Sequence, residues 1–214
     1  MQTLDLKKTY KHLYLPSAKA PVLVDVPQLQ FLMIDGAIEP GMEPGNSPAF
    51  AEAFQAIYGA AYTLKFMLKK RKTDPVDYPV MALEGLWWVE GGQFEISVKD
   101  NWTWRLMVLV PEVVGPEQFE AALQELGRKR PGPGLAKLRL EHFTEGLCVQ
   151  IMHIGPYADE PATVERMKSF AAEQGYLMSG RHHEIYLGDP RRAQPEKLKT
   201  VLRHPVQPVA LQVA

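Results

Sequence analysis

The chain of 214 residues holds a single cysteine, Cys148, so no internal disulfide can form, and the expected compartment is a reducing one. It has no run of about 18 apolar residues, which excludes a transmembrane helix by hydropathy. It has no excess of either charge: 24 Lys and Arg stand against 25 Asp and Glu. A nucleic-acid binder or a protein held on anionic lipid would carry a basic surplus, so neither partner is expected. The first residues, Met1-Gln2-Thr3-Leu4-Asp5-Leu6-Lys7-Lys8, lack the apolar stretch of a secretory leader. A cytoplasmic globular protein is the expectation, long enough to bury a sizeable core.

What is present reads as two similar halves. Residues 1–27 are polar or proline-broken and read as an arm. Residues 28–112 form a first module. Phe31-Leu32-Met33-Ile34 is a short apolar strand. Ser47-Pro48 starts a helix, with Ser as cap and Pro at the first helical position. Phe50, Ala53, Phe54, Ile57, Ala60, Ala61, Leu64, Met67 and Leu68 follow at helical spacing, and Lys69 to Lys72 close it. Two strands are expected over 80–89 and 103–110, with turns at Gly91-Gly92 and Asp100-Asn101. Residues 113–137 form a connecting helix from Pro116, stopped at Gly127, and a loop. Residues 138–214 repeat the order: a strand over 147–154, a turn at Gly155-Pro156-Tyr157, a helix from Asp159 to Glu173, the strand around Glu184, and a short strand over 198–202. The fold class is therefore α+β, a tandem pair of strand-helix-strand-strand modules with an antiparallel sheet and helices on one side.

The segment Arg181-His182-His183-Glu184-Ile185-Tyr186-Leu187 carries the most chemistry. Alternation on a strand puts His183, Ile185 and Leu187 on one face and Glu184 and Tyr186 on the other. A carboxylate beside a phenol in an otherwise apolar strand suggests a pocket wall; a half-exposed edge strand is the plainer reading. Adjacent histidines point oppositely on a strand, so His182 and His183 do not share a metal, and neither metal nor cofactor is expected. Cys148 lies between Leu147 and Val149, where a thiol is inert packing. Arg191-Arg192 reads as a clamp on nearby acidic groups.

Several motifs resemble one family. Glu145-Gly146-Leu147-Cys148-Val149-Gln150-Ile151-Met152-His153-Ile154-Gly155-Pro156-Tyr157, His182 to Leu187, Asp189 to Arg192 and Pro195 to Thr200 are similar to the GyrI-like small-molecule-binding family. Leu83-Glu84-Gly85-Leu86-Trp87-Trp88 resembles its first half, and the likeness runs from about residue 20 onward. The resemblance implies a ligand cleft between the halves. It implies relatives that act as effector-binding domains of multidrug-sensing regulators or as a gyrase inhibitor. A stand-alone branch is similar to enzymes that hydrolyse cyclopropanoid DNA-alkylating compounds. There the cleft is aromatic and a glutamate on a second-half strand is the key polar group; Glu184 is the matching position.

Carried onto these residues, the chemistry needs a base for water and a donor for a carbonyl oxygen. Glu184 is the expected base, and Tyr186 or Tyr157 the donor. Trp88 and Trp104 are the favoured cleft walls, with Trp87 as the alternative ring, since neighbours on a strand cannot share a face. Any of these rings could instead fill the core. Glu84 either faces Glu184 across the cleft or sits at a strand start in solvent. His153 is a core or cleft-wall residue. The expected partner is a planar, hydrophobic or cationic small molecule. Hydrolysis, binding without turnover, and docking to a large partner such as gyrase remain open, as does the choice between monomer and homodimer. No DNA-binding module is expected before Phe31.

Overall fold

A computed structural model describes residues 1–92, 94–97, 101–190 and 192–209. The N-terminal segment forms β1 (Gln2–Thr3), α1 (Leu6–Thr9) and α2 (Lys11–Tyr14). The first module follows as β2 (Val22–Ala37), α3 (Pro48–Lys69), a short β3 (Val76–Asp77), β4 (Leu83–Val89) and β5 (Trp102–Leu109). After α4 (Pro116–Lys129) the second module runs through β6 (Arg139–Ile154), α5 (Glu160–Glu173), a short β7 (Tyr176–Met178), β8 (His182–Tyr186) and β9 (Lys199–Pro208). Each module is thus strand, helix, strand, strand, with small additions.

The local chemistry acts where the sequence places it. Ser47 accepts a hydrogen bond from Phe50 N–H at 3.0 Å and opens α3 with Pro48 behind it. The helix buries Ala53, Ile57, Ala60, Ala61, Leu64 and Leu68. Lys65 and Lys69 both bridge Asp77 at 2.6 Å, which ties the helix end to β3. α4 runs past Gly127 and ends at Lys129, with Arg130 as its C-cap just before Pro131, whose ring restricts the residue before it. β6 begins eight residues before the expected Leu147, because its first half is half-buried and polar rather than apolar. β2 also starts early, at Val22, so the division between arm and first module at 27 falls inside a strand. Asn101 has the left-handed φ of a turn residue, 57°, while Asp100 and Arg191 lie outside the described residues.

The main sheet has the order β6-β2-β5-β4-β8-β9-β7, and β6 also pairs with β9. The pairings of β6, β2, β5, β4, β8 and β9 therefore run in a ring, and every one is antiparallel. The two modules meet twice, at β2 with β6 and at β4 with β8. Directly opposed residues share a face. Leu202 opposes Glu184, Glu184 opposes Gly85, and Trp87 opposes Trp104. Phe50 of α3 rests on Trp87 and Trp104, and Met167 and Ala171 of α5 pack in one cluster with Leu202, Val149 and Ile151. Both long helices thus cover one face, α3 over the first module and α5 over the second. β4 and β8 form the floor between them.

Trp104 is 1% exposed and lies flat across β2 over Gly36. A Cβ on Gly36 would come within 2.2 Å of its ring. Gly36→Ala is expected to cost about 1–3 kcal/mol through overpacking. Urea unfolding checks this, and an unchanged midpoint would show that the ring has room to move.

Candidate active site

β8 divides two environments. On the helix-facing side, His182, Glu184 and Tyr186 stand in a row. Glu184 is 6% exposed, and its Oε1 accepts a hydrogen bond from His182 Nε2 at 3.2 Å. Tyr186 Oη accepts from Trp87 Nε1 at 2.9 Å and turns its own proton to Glu184. Burial first, then the Glu184 charge, raises the Tyr186 phenol well above its ordinary value, so it stays a donor. Tyr157, at the N-terminal end of α5, meets Tyr186 edge-on with ring centroids 6.1 Å apart. Its phenol is pushed up to about 12 by burial and by Glu184. Glu184 therefore sits among two protonated phenols and an imidazole.

Rings surround this row. Phe50 stacks on Trp87 at 5.7 Å, and Trp102 packs against Trp87 at 5.3 Å. Phe94, from the β4–β5 connection, stacks on His182 at 5.4 Å and touches Trp102 at 4.9 Å. It occupies the His182 end of the floor. Gly85, opposite Glu184, makes the arrangement possible: a Cβ there would lie 2.8 Å from Trp87 Nε1 and 3.1 Å from Tyr186 Oη. A shallow hollow of about 410 Å³ on the outer side of α5, lined by Pro21, Arg166 and Phe170 among others, shares no residue with this site.

The expected residues divide by face. Glu184, Tyr186, Tyr157 and Trp87 come together. Trp104 shares their face but lies beneath Phe50 in the core. Trp88 points to the opposite side, where the Arg181 guanidinium covers its ring at 3.6 Å and Glu90 accepts from its Nε1. Glu84 also points there and cannot face Glu184, because it opposes Ile185 in the register. His153 is a structural tie: its Nε2 donates to the Pro156 carbonyl at 3.2 Å and its Nδ1 accepts from Thr163 at 2.9 Å. It fixes the turn into α5 without reaching the floor. His182, Phe94 and Phe50 were not anticipated; only His182 had a sequence signal, its two-residue spacing from Glu184. Arg192, next to the undescribed Arg191, lies 3.8 Å from Asp189.

Behind β8 is a buried ionic network. His183 Nε2 lies 3.1 Å from Glu84, and His183 Nδ1 lies 3.0 Å from both Glu145 oxygens. Both ring nitrogens face carboxyl oxygens, so both must carry protons. Burial opposes that charge, but Glu145 and the hydrogen bonds win and raise His183 to about 9. Glu145 is also buried; His183 and Arg203 overcome that and lower it to about 2. Gly146, at φ 76°, breaks the alternation of β6, so that Glu145 and Gln150 both reach Arg203. Tyr14 donates to Glu84, Arg203 donates to Leu13 O at 2.7 Å, and Gln150 donates to His12 O at 2.8 Å. The N-terminal segment is thus bound to the back of the sheet. Among the described residues, no group of three His, Cys, Asp or Glu could hold a metal ion, and no helix is long and apolar enough to cross a membrane.

With fold and site in view, the relatives can be placed. A model of the GyrI-like small molecule binding domain matches residues 21–207. The chain belongs to the GyrI-like family. An uncharacterised conserved protein from Listeria innocua is 38% identical, with a TM-score of 0.85, over 95% of this chain and all of that one. Two hydrolases from Listeria innocua are 36% and 37% identical, with TM-scores of 0.80 and 0.83, over 95% and 96% of this chain and 100% of theirs. None of the curated proteins compared matches the chain. A GyrI-like domain binds small molecules, and in this one the floor between α3 and α5 is where aromatic surface and polar groups converge.

Two outcomes are expected. Gly85→Ala should cost about 1–3 kcal/mol and shift tryptophan emission as Trp87 loses Tyr186; native emission at native stability would contradict this. His183 is raised above its ordinary 6.5, so its contribution is complete below that pH and lost as pH rises through about 9. Urea titrations should therefore show stability falling from pH 6.5 to 9 by on the order of 3 kcal/mol, a slope that His183→Gln removes.

Proposed function

We propose that this protein is a hydrolase that adds water to lipophilic electrophiles of the cyclopropanoid class, a detoxifying reaction. The observation that carries this reading is Glu184: a carboxylate 6% exposed, oriented by His182 and Tyr186, on a ring-lined floor. Similarity to two hydrolases supports the reaction type. Aromatic walls favour a flat ligand held by its faces.

In such a substrate a strained cyclopropane is conjugated to a dienone. Water oxygen bonds to the ring methylene as the methylene's C–C bond breaks. The electron pair moves through the ring to the carbonyl oxygen, which ends as a phenol. Glu184 takes the water proton as it attacks. Tyr157 is the better placed donor for the oxygen, since Tyr186 already directs its proton at Glu184. Tyr186 is a positioning residue that keeps the carboxylate turned to the water. No metal or cofactor is needed to balance the reaction.

Incubation with a spirocyclopropyl dienone, followed by mass spectrometry, should show addition of one water. Glu184→Gln should slow turnover about 10²- to 10⁴-fold and Tyr157→Phe by a similar or smaller factor, with binding retained. Binding with unchanged substrate in the native protein would replace hydrolysis with sequestration. Full turnover by Glu184→Gln would remove Glu184 from the chemistry.

A further inference from the structure

Near the start of α3, two buried polar atoms with no hydrogen-bond partner among the described residues line the same cavity. One is Nε1 of Trp104, an indole that is 1% exposed. The other is Oε1 of Glu52, whose side chain is half-buried but turns this oxygen inward. The cavity has a volume of about 30 Å³ and lies where β2, the first turns of α3, Trp104 of β5 and the turn over Pro133–Lys137 meet. Burying either atom unpaired forfeits the hydrogen bonds it makes in water, which is why buried polar groups are nearly always satisfied.

The chain is shaped to bring these atoms together. Gly36 lets the indole lie across β2, and a Cβ at Gly134 would stand 3.0 Å from Glu52 Oε1. A third contact is at hand. Gln30 O accepts from Val110 N–H and Ile38 N–H donates to Trp102 O, so the even-numbered residues of β2 bond to β5. Asp35, which borders the cavity, therefore turns its main-chain N–H and C=O to the opposite side, where β6 begins only at Arg139.

The lining selects its occupant by chemistry. The occupant must accept a hydrogen bond from the Trp104 N–H and donate one to the Glu52 carboxylate. A metal cation or ammonium has no lone pair for the indole, and chloride has no proton for the carboxylate. Water does both. A cavity of this volume holds one water and is too small for a ring, and a buried water needs about two to four polar partners. We propose that this cavity binds a single water molecule that accepts from Trp104 Nε1, donates to Glu52 Oε1 and makes a third bond to the main chain of Asp35. The water joins helix, sheet and turn beneath a wall of the candidate active site, since Phe50 packs edge-on against Trp104 at 5.6 Å. Glu184, Tyr186 and Tyr157 do not border the cavity, so this water is structural and is not the one consumed in the proposed reaction.

Nuclear magnetic resonance on the full chain tests this. The Trp104 indole proton, assigned through its proximity to the Gly36 α-protons, should show a cross-peak to water of the sign that a held molecule gives. Glu52→Gln keeps an acceptor oxygen and should keep the cross-peak. Glu52→Leu removes the acceptor and fills the space, so the cross-peak should be lost while the other indole signals stay in place. Gly134→Ala, which drives the carboxylate from its position, should lose it too and serves if Glu52→Leu fails to fold. A crystal structure should place a water oxygen about 2.7–3.2 Å from both Nε1 and Oε1. A native protein without the cross-peak overturns the proposal. So does a crystal structure in which Glu52 bonds directly to Trp104 or Lys137 with no water between them. A cross-peak unchanged in both Glu52→Leu and Gly134→Ala also overturns it, because the water would then be held without the carboxylate.

Discussion

A doubly protonated imidazole between two carboxyls is the interaction on which the architecture turns. His183 on β8 joins Glu84 on β4 to Glu145 on β6. Arg203 on β9 and Tyr14 from the N-terminal segment complete the set. Four strands from both modules and a preceding helix are thereby tied at one point. All these side chains are buried, and removing one partner from such a network leaves an uncompensated charge, a loss of about 3–5 kcal/mol. The charges balance only because His183 stays protonated beside Glu145, which the short, paired contacts ensure. The network also sets the register of β4 against β8, since Leu86 opposes His183 and Gly85 opposes Glu184.

That register is what gives the other face its chemistry. Consecutive residues of one strand do opposite work: His183 is locked into the ionic network, and Glu184 is turned toward the rings beneath the helices. The strands divide the labour as well. β4 supplies a glycine and an indole, which leave room and form a wall. β8 supplies the carboxylate, imidazole and phenol. Trp87 then fixes Tyr186, and Tyr186 fixes Glu184, so the carboxylate is held by the first module through an intermediary.

How much of this could be read from the chain follows from which signals are local. Period two along His182 to Tyr186 is local, so the separation of Glu184 and Tyr186 from His183 was legible. So were α3, from its cap and spacing, and the repeated order of elements. Which face of β4 meets the helices is not local. Trp87 and Trp88 differ only in which face of β4 they take, and β4 pairs with β5 nearby and with β8 almost 100 residues on, so the sequence favoured the ring that faces away from Glu184 and left Glu84 free to be placed across from it. The role of Glu145 depends on the left-handed Gly146, whose conformation no periodicity announces.

The ring of paired strands has a consequence for the protein's behaviour at high concentration. Six strands satisfy their backbone groups on both sides along much of their length, and among the described residues β7, which is appended to β9 outside the ring, has three residues. Long unpaired strand borders invite other chains to add on and grow into fibrils. A sheet closed in this way offers little such template, so this protein can keep a very apolar interior without nucleating its own aggregation.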